Sequence, residues 1–106
     1  MTDHDIASKL NLTIVHQEAA RELSGVYCCD LLSVAMARAT PDGAWVTVIG
    51  NANAVAVANL TDVACIILAE GYSFDDAAIA AAAGKVSLYK SGNPVFETAL
   101  AVHEQL

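Results

Sequence analysis

Residues 44–60, AWVTVIGNANAVAVANL, form the stretch from which the fold can be predicted. Ala44–Ile49 is a short run rich in β-branched residues, apolar on both of its predicted faces, as buried parallel strands usually are. Gly50–Asn53 interrupts the run with residues that favour tight turns and helix starts. Small apolar side chains then follow from Ala54 to about Thr61, and they suit a helix that packs closely on a sheet. The stretch therefore predicts a strand, a turn and a helix.

Elements of the same two kinds alternate on either side of this unit. Further strands are predicted at Leu12–His16, Val26–Cys29, Val63–Ala69 and Lys85–Lys90, with the very apolar Val63–Ala69 at the centre. Helices are predicted at Asp3–Leu10 after a Thr2–Asp5 capping box, at Leu31–Ala39, from Ser73 or Asp75 to Ala83, and at Val95–Glu104, while Gln17–Ser24 is weakly helical. This alternation predicts an α/β fold whose mostly parallel sheet has about five short strands, with helices on both faces.

Length and charge exclude several classes of protein. The 106 residues suit a single domain, 1–106, and no run approaches the roughly 18 apolar residues of a membrane span. Five Lys and Arg against twelve Asp and Glu give a net charge of −7, which would repel a nucleic-acid backbone. The opening MTDHDIASKL has neither the basic nor the apolar part of a secretory signal, so a soluble, cytoplasmic protein is expected.

The residues that most often bind metals are scattered along the chain. The three cysteines, Cys28, Cys29 and Cys65, are expected to be reduced, small and buried. The three histidines, His4, His16 and His103, have no partner at the spacing of a known metal or catalytic site. No metal, cofactor or catalytic residue is therefore assigned, and the single tryptophan, Trp45, is expected to fill the core.

Polar and small residues follow the predicted parallel strands, at the ends where α/β proteins bind ligands. A binding site at this edge is predicted to include Asp30, Gly50, Asn51, Asn53, Glu70, Gly71, Ser91, Gly92 and Asn93. Neither GxGxxG nor GxxxxGK[ST] occurs in the chain, so this is not a known phosphate loop. Structural roles are the alternative for several members of the set, with Asp30 and Asn53 as helix N-caps and Gly50 as a turn residue. Asp30 and Glu70 are also the carboxylates available for acid–base or metal chemistry.

Two blocks of the sequence resemble the DRTGG domain family. They are GVYxxDLLSxxMA, beginning at Gly25, and IILAEG, beginning at Ile66, and the likeness covers nearly the whole chain. Arg21 to Gly25 occupies the region of the eponymous motif as a degenerate Arg-x-x-x-Gly pattern. The resemblance implies a three-layer α/β/α fold similar to the N-terminal domain of HPr kinase/phosphorylase, without the kinase domain and its phosphate loop. It also implies a regulatory or assembly role.

Three functions are compatible with these features. The first is a non-catalytic regulatory module that forms a homodimer and binds a small anionic ligand, such as a nucleotide or phosphometabolite, or a partner protein at the carboxyl edge of the sheet. The second is a small enzyme that uses Asp30 and Glu70 with a metal. The third is a purely structural dimerisation domain, which the high apolar content of 56% favours.

Overall fold

Helices and strands alternate along the chain largely as predicted. The computed structural model describes residues 1–106. Its elements are α1 (Asp3–Lys9), β1 (Thr13–His16), β2 (Val26–Cys28), α2 (Leu32–Arg38), β3 (Ala44–Thr47), α3 (Ala52–Thr61), β4 (Cys65–Leu68), α4 (Asp76–Ala82), β5 (Ser87–Lys90) and α5 (Val95–Glu104). The Thr2–Asp5 capping box is present, and Asp75 rather than Ser73 caps α4. None of the five helices is long and apolar enough to cross a membrane.

The five strands form one mixed sheet in the order β1-β5-β4-β3-β2. Strands β2 to β5 are parallel and lie side by side in chain order, which confirms the prediction for four strands and the central position of β4. β1 is the exception, because it pairs antiparallel with β5 and has an irregular register between Ile14 and His16. The sheet is therefore mostly, but not purely, parallel.

The side chains of the sheet alternate between two hydrophobic clusters. Trp45 and Ile66 belong to a cluster that contains residues of α2, α3 and α4. Val46 and Ile67 belong to a second cluster, which contains residues of α1 and α5. Three successive right-handed crossovers in one direction place their helices on the same side of a sheet, which explains why α2, α3 and α4 share a cluster. Trp45 has no exposed surface, as expected.

Residues 17–25, called the strap below, contain no helix, so the weak helical prediction for Gln17–Ser24 is wrong. The strap must join β1 to β2 at opposite edges of the sheet, four strand spacings or about 19 Å apart. Nine helical residues would span only about 13 Å, whereas nine extended residues span up to about 30 Å. The strap therefore runs extended past the amino ends of the parallel strands, where Glu18 N donates to Ser87 Oγ (2.8 Å) and Ser24 N to Asp42 O (3.0 Å).

The three thiols do not share one environment. Cys65 is buried in the central strand, and burial raises the pKa of its thiol. Cys28 is exposed and Cys29 is half-buried, so the prediction that all three cysteines are buried is wrong for Cys28. The reason is that β2 is an edge strand, which sequence alone does not reveal.

Candidate functional site

The carboxyl ends of β2 to β5 meet along one side of the sheet, called the carboxyl edge below. Because the four strands are parallel, the residues that follow them are brought to this edge. Asp30 follows β2, Gly50 to Asn53 follow β3, Glu70 and Gly71 follow β4, and Ser91 to Asn93 follow β5. All nine predicted residues thus lie after the strand ends, although they divide into two groups with different contacts.

The connections that leave β4 and β5 turn toward opposite faces of the sheet. α4 contributes Ala78 and Ala82 to the first cluster, whereas α5 contributes Ala99 and Val102 to the second. In open α/β sheets, adjacent connections that diverge in this way leave a crevice outside the strand ends, and ligands bind there. In this chain the connections diverge in this way between β4 and β5.

Hydrogen bonds join the two loops at this place. Glu70 N donates to Asn93 O (2.8 Å) and Gly71 N donates to Ser91 O (3.2 Å). Val95 N donates to Glu70 Oε2 (2.8 Å), so the Glu70 carboxylate caps the start of α5. Glu70 and Gly71 both have left-handed backbone angles, with φ of 62° and 74°. The structure thus brings four predicted residues together, with Glu70 partly committed to a structural role.

A cation that the sequence analysis did not single out lies at the same place. Lys90 is the last residue of β5, and its Nζ donates to Ser73 Oγ (2.7 Å) in the loop between β4 and α4. The Gly92 N–H, two residues later, has no partner within the chain. The signal available in the sequence was a lysine immediately before the small polar Ser91–Asn93 turn.

Asp30 is not the N-cap of α2. Leu31 occupies the N-cap position and makes no side-chain cap bond. Asp30 Oδ1 instead accepts hydrogen bonds from Thr47 Oγ1 (2.9 Å) and Val48 N (3.1 Å), which join the end of β2 to the end of β3. A polar residue between a strand and a helix fits either role in the sequence, that of a helix N-cap or that of a link between two strand ends. The hydrogen bonds to Thr47 and Val48 show that Asp30 is the link.

Asn51, rather than Asn53, caps α3. Ala54 N donates to Asn51 Oδ1 (3.1 Å), and the helix begins at Ala52. Asn53 lies in the first helical turn with an exposed side chain that has no hydrogen-bond partner. The helix therefore begins two residues earlier than predicted, because either asparagine satisfies the local preference for a cap.

Gly50 is a close-packing position. A Cβ at Gly50 would lie 2.7 Å from Ser73 O and 3.0 Å from Leu68 Cδ2. We expect Gly50→Ala to lower the free energy of unfolding by about 2 kcal/mol, because a backbone carbonyl must move to admit the methyl group. Urea unfolding measures this loss. Gly92→Ala is the matched control at the same edge, where a Cβ meets nothing within 4 Å. Equal stability losses in the two variants would contradict the packing role.

Asp30 and Glu70 do not share a hydrogen-bond partner. They follow β2 and β4, which are separated by β3 and hence by roughly 10 Å between strand axes. No group of three or more His, Cys, Asp and Glu side chains is arranged to hold a metal ion. Asp30 and Glu70 are therefore not brought together as a pair.

A second polar cluster lies at the opposite edge, where the strap crosses. Asp3 is 1% exposed, and its carboxylate accepts from Arg21 N (2.8 Å) and from the Tyr89 hydroxyl (2.7 Å). Gln17 Nε2 donates to the same hydroxyl (3.0 Å). Burial raises the pKa of Tyr89; the Gln17 bond opposes the rise, and the Asp3 carboxylate adds to it. All buried side-chain polar atoms of the chain have a partner.

The guanidinium of Arg21 anchors the strap to the turns that precede β3 and β4. It donates to Asp42 Oδ1 (2.6 Å from Nη2), to Asp62 O (2.9 Å) and to Val63 O (3.1 Å). The degenerate motif region that begins at Arg21 therefore makes contacts within the chain. The sequence does not indicate this role, because it depends on the path of the strap.

No protein-family model matches the chain, and no curated protein matches it either.

Proposed function

We propose that this chain is a DRTGG-type, non-catalytic regulatory module with a three-layer α/β/α arrangement. In this proposal it self-associates and binds a small anionic ligand, such as a nucleotide or a phosphometabolite, or a partner protein at the carboxyl edge. The two hydrophobic clusters support the layered arrangement, because one contains residues of three helices and the other contains residues of two. The GVYxxDLLSxxMA and IILAEG blocks support the family.

The divergence of α4 and α5 at Lys90 carries the ligand proposal. A ligand at this place would meet a primary ammonium group, the Ser73 hydroxyl and the free Gly92 N–H. These are hydrogen-bond donors, and such a set favours a phosphate or carboxylate. The Glu70–Asn93 and Gly71–Ser91 hydrogen bonds close the two loops against each other.

We expect Lys90→Met to weaken anion binding at least about tenfold, since a charge-assisted hydrogen bond contributes roughly 1.5–3 kcal/mol. The measurement is a thermal-shift screen of nucleotides and phosphometabolites followed by isothermal titration of each hit. A ligand at about 100 times its Kd adds about 2.7 kcal/mol of stability, which raises the Tm by several degrees. Lys85→Met is the matched control, because Lys85 is exposed and precedes β5 at the opposite edge.

Two results would count against the ligand proposal. One is a wild-type Tm that no anion changes at millimolar concentration. The other is an equal loss of affinity in Lys85→Met and Lys90→Met, which would indicate a general effect of net charge rather than a site at Lys90.

A purely structural dimerisation domain is the second candidate. Nine large apolar side chains are exposed, and a dimer would bury those that form a contiguous patch. They are Ile14, Leu31, Val34, Met36, Leu60, Tyr72, Phe96, Leu100 and Leu106. A dimer by light scattering, combined with indifference to every ligand in the screen, would favour this candidate over the regulatory one.

A further inference from the structure

β2 is an open edge of the sheet, because its only neighbour is β3. Ala44 N donates to Gly25 O (2.9 Å) and Cys29 N donates to Val46 O (3.3 Å), so the odd-numbered residues direct their backbone groups toward β3. In a strand, alternate residues direct theirs to opposite sides. The N–H and C=O groups of Val26 and Cys28 therefore point outward, where a further strand would pair.

The two edges of the sheet differ in how they are protected. β1, at the far edge, has an irregular register between Ile14 and His16, the kind of bulge that prevents pairing with another strand. β2 has a regular register, and residues 26–29 contain no proline and no charged side chain. Natural proteins usually cover or charge such an edge. β2 is thus the edge that lacks protection in the monomer.

Apolar side chains flank this open edge on both faces of the sheet. α2 follows β2, and α5 packs against β2 and β3; both helices begin at the carboxyl edge, with Ala35 of α2 and Ala99 of α5 in opposite clusters. Successive residues of a right-handed helix are rotated by about 100° around its axis. The residue that faces the core therefore determines which flank of each helix points outward past β2. On these flanks lie Leu31 (59% exposed), Val34 (37%), Phe96 (68%) and Leu100 (41%).

We propose that two copies of this chain dimerise by antiparallel pairing of β2 with β2 of the partner subunit. A two-fold axis at Tyr27 sets Val26 opposite Cys28 of the partner subunit and produces one continuous sheet. α2 then packs on α2 of the partner subunit on one face, and α5 packs on its counterpart on the other. This inference rests on the self-association in the proposed function and names its surface.

Area and charge both favour a second copy as the occupant. The four flanking side chains and the edge strand together expose on the order of 500 Å², most of the roughly 800 Å² that each partner of a stable dimer buries. Residues 26–29 and the four flanking side chains carry no charge, and an uncharged patch is complementary to itself, as a two-fold interface requires. Since each chain carries a net charge of −7, screening by salt should strengthen the dimer.

Sedimentation equilibrium tests this interface. We expect Phe96→Lys to raise the dimer Kd at least about tenfold, because a charge would replace an aromatic anchor. Leu60→Lys is the matched control, since Leu60 is 73% exposed on α3, which does not flank β2, and its dimer Kd should match that of the wild type. Circular dichroism establishes that both variants are folded.

Cross-linking tests the strand pairing independently. A short bis-maleimide should trap the wild-type dimer through Cys28, and the product should disappear in Cys28→Ser but persist in Cys29→Ser. A dimer Kd that Phe96→Lys leaves unchanged, together with a cross-linked product that persists in Cys28→Ser, would overturn the β2 interface and leave self-association standing. The other decisive result is a wild-type chain that stays monomeric in low and in high salt at 100-fold the concentration of a typical assay. That result would rule out both the β2 interface and self-association.

Discussion

Replacing Asp3 with alanine should lower the free energy of unfolding by about 3 kcal/mol. The change leaves two donors, Arg21 N and the Tyr89 hydroxyl, without their acceptor, and Tyr89 is only 1% exposed. An unsatisfied buried polar group costs about 1–3 kcal/mol, and the bonds lost here are to a charged group. Urea unfolding followed by tryptophan fluorescence measures the loss, because Trp45 is the single tryptophan.

A double-mutant cycle with Tyr89→Phe separates this hydrogen bond from general damage. Each single variant should be destabilised, and the double variant should lose at least about 1 kcal/mol less than the sum of the two. The control is Glu104→Ala, which changes an exposed carboxylate that makes no hydrogen bond within the chain. Additive losses at Asp3 and Tyr89 would show that the 2.7 Å contact contributes nothing of its own.

The surroundings of Tyr89 also make stability depend on alkaline pH. Burial, opposed by the Gln17 bond and reinforced by Asp3, raises the pKa of Tyr89 above its ordinary value of about 10. The folded state therefore favours the neutral phenol, so this contribution is fully present below about pH 10 and is lost as the pH rises above it. Asp3→Ala should reduce the Tyr89 part of that loss, which a pH series of unfolding curves would show.

Trp45→Ala should cost about 4 kcal/mol, the range for removing a fully buried aromatic side chain. The indole fills the cluster shared with α2, α3 and α4, and its Nε1 donates to Cys29 O (3.0 Å) at the end of β2. Trp45→Phe keeps most of the packing and loses the hydrogen bond, so its cost should be about half as large. Circular dichroism in urea measures both variants.

Tyr72→Ala provides the matched control for Trp45→Ala. Tyr72 is an aromatic residue with 58% of its surface exposed, and its removal should change stability by no more than about 0.5 kcal/mol. A Trp45→Ala variant as stable as Tyr72→Ala would mean that the indole does not occupy the core. If Trp45→Ala does not fold, Trp45→Phe still reports on the same packing.

Local signals predicted most of the elements because their causes are local. The Thr2–Asp5 capping box and the Asp75 cap act within four residues, and the apolar run that contains β4 is visible in any short window. The reversed direction of β1 and the exposure of Cys28 depend on which strands lie at the edges. No local pattern encodes that order.

The candidate site shows the same division. Sequence reasoning placed residues such as Glu70 and Ser91 at one edge, because parallel strands end together. The sequence does not distinguish a helix cap at Asp30 from a hydrogen-bonded link between two strands. Nor does it distinguish a turn residue at Gly50 from a close-packing position, since each role depends on a partner far along the chain. Lys90 was overlooked for the same reason, because its partner Ser73 lies 17 residues away.

The position of β1 also has a consequence for the order in which the chain folds. β2 to β5 form a block in which each strand lies beside the previous one in the chain. The contacts between these strands therefore join residues with a small separation in sequence. α1 and β1 instead contact β5, and the Asp3–Tyr89 bond joins residues separated by 86 positions. During synthesis, we therefore expect the segment that contains α1 and β1 to dock only after the ribosome has released β5.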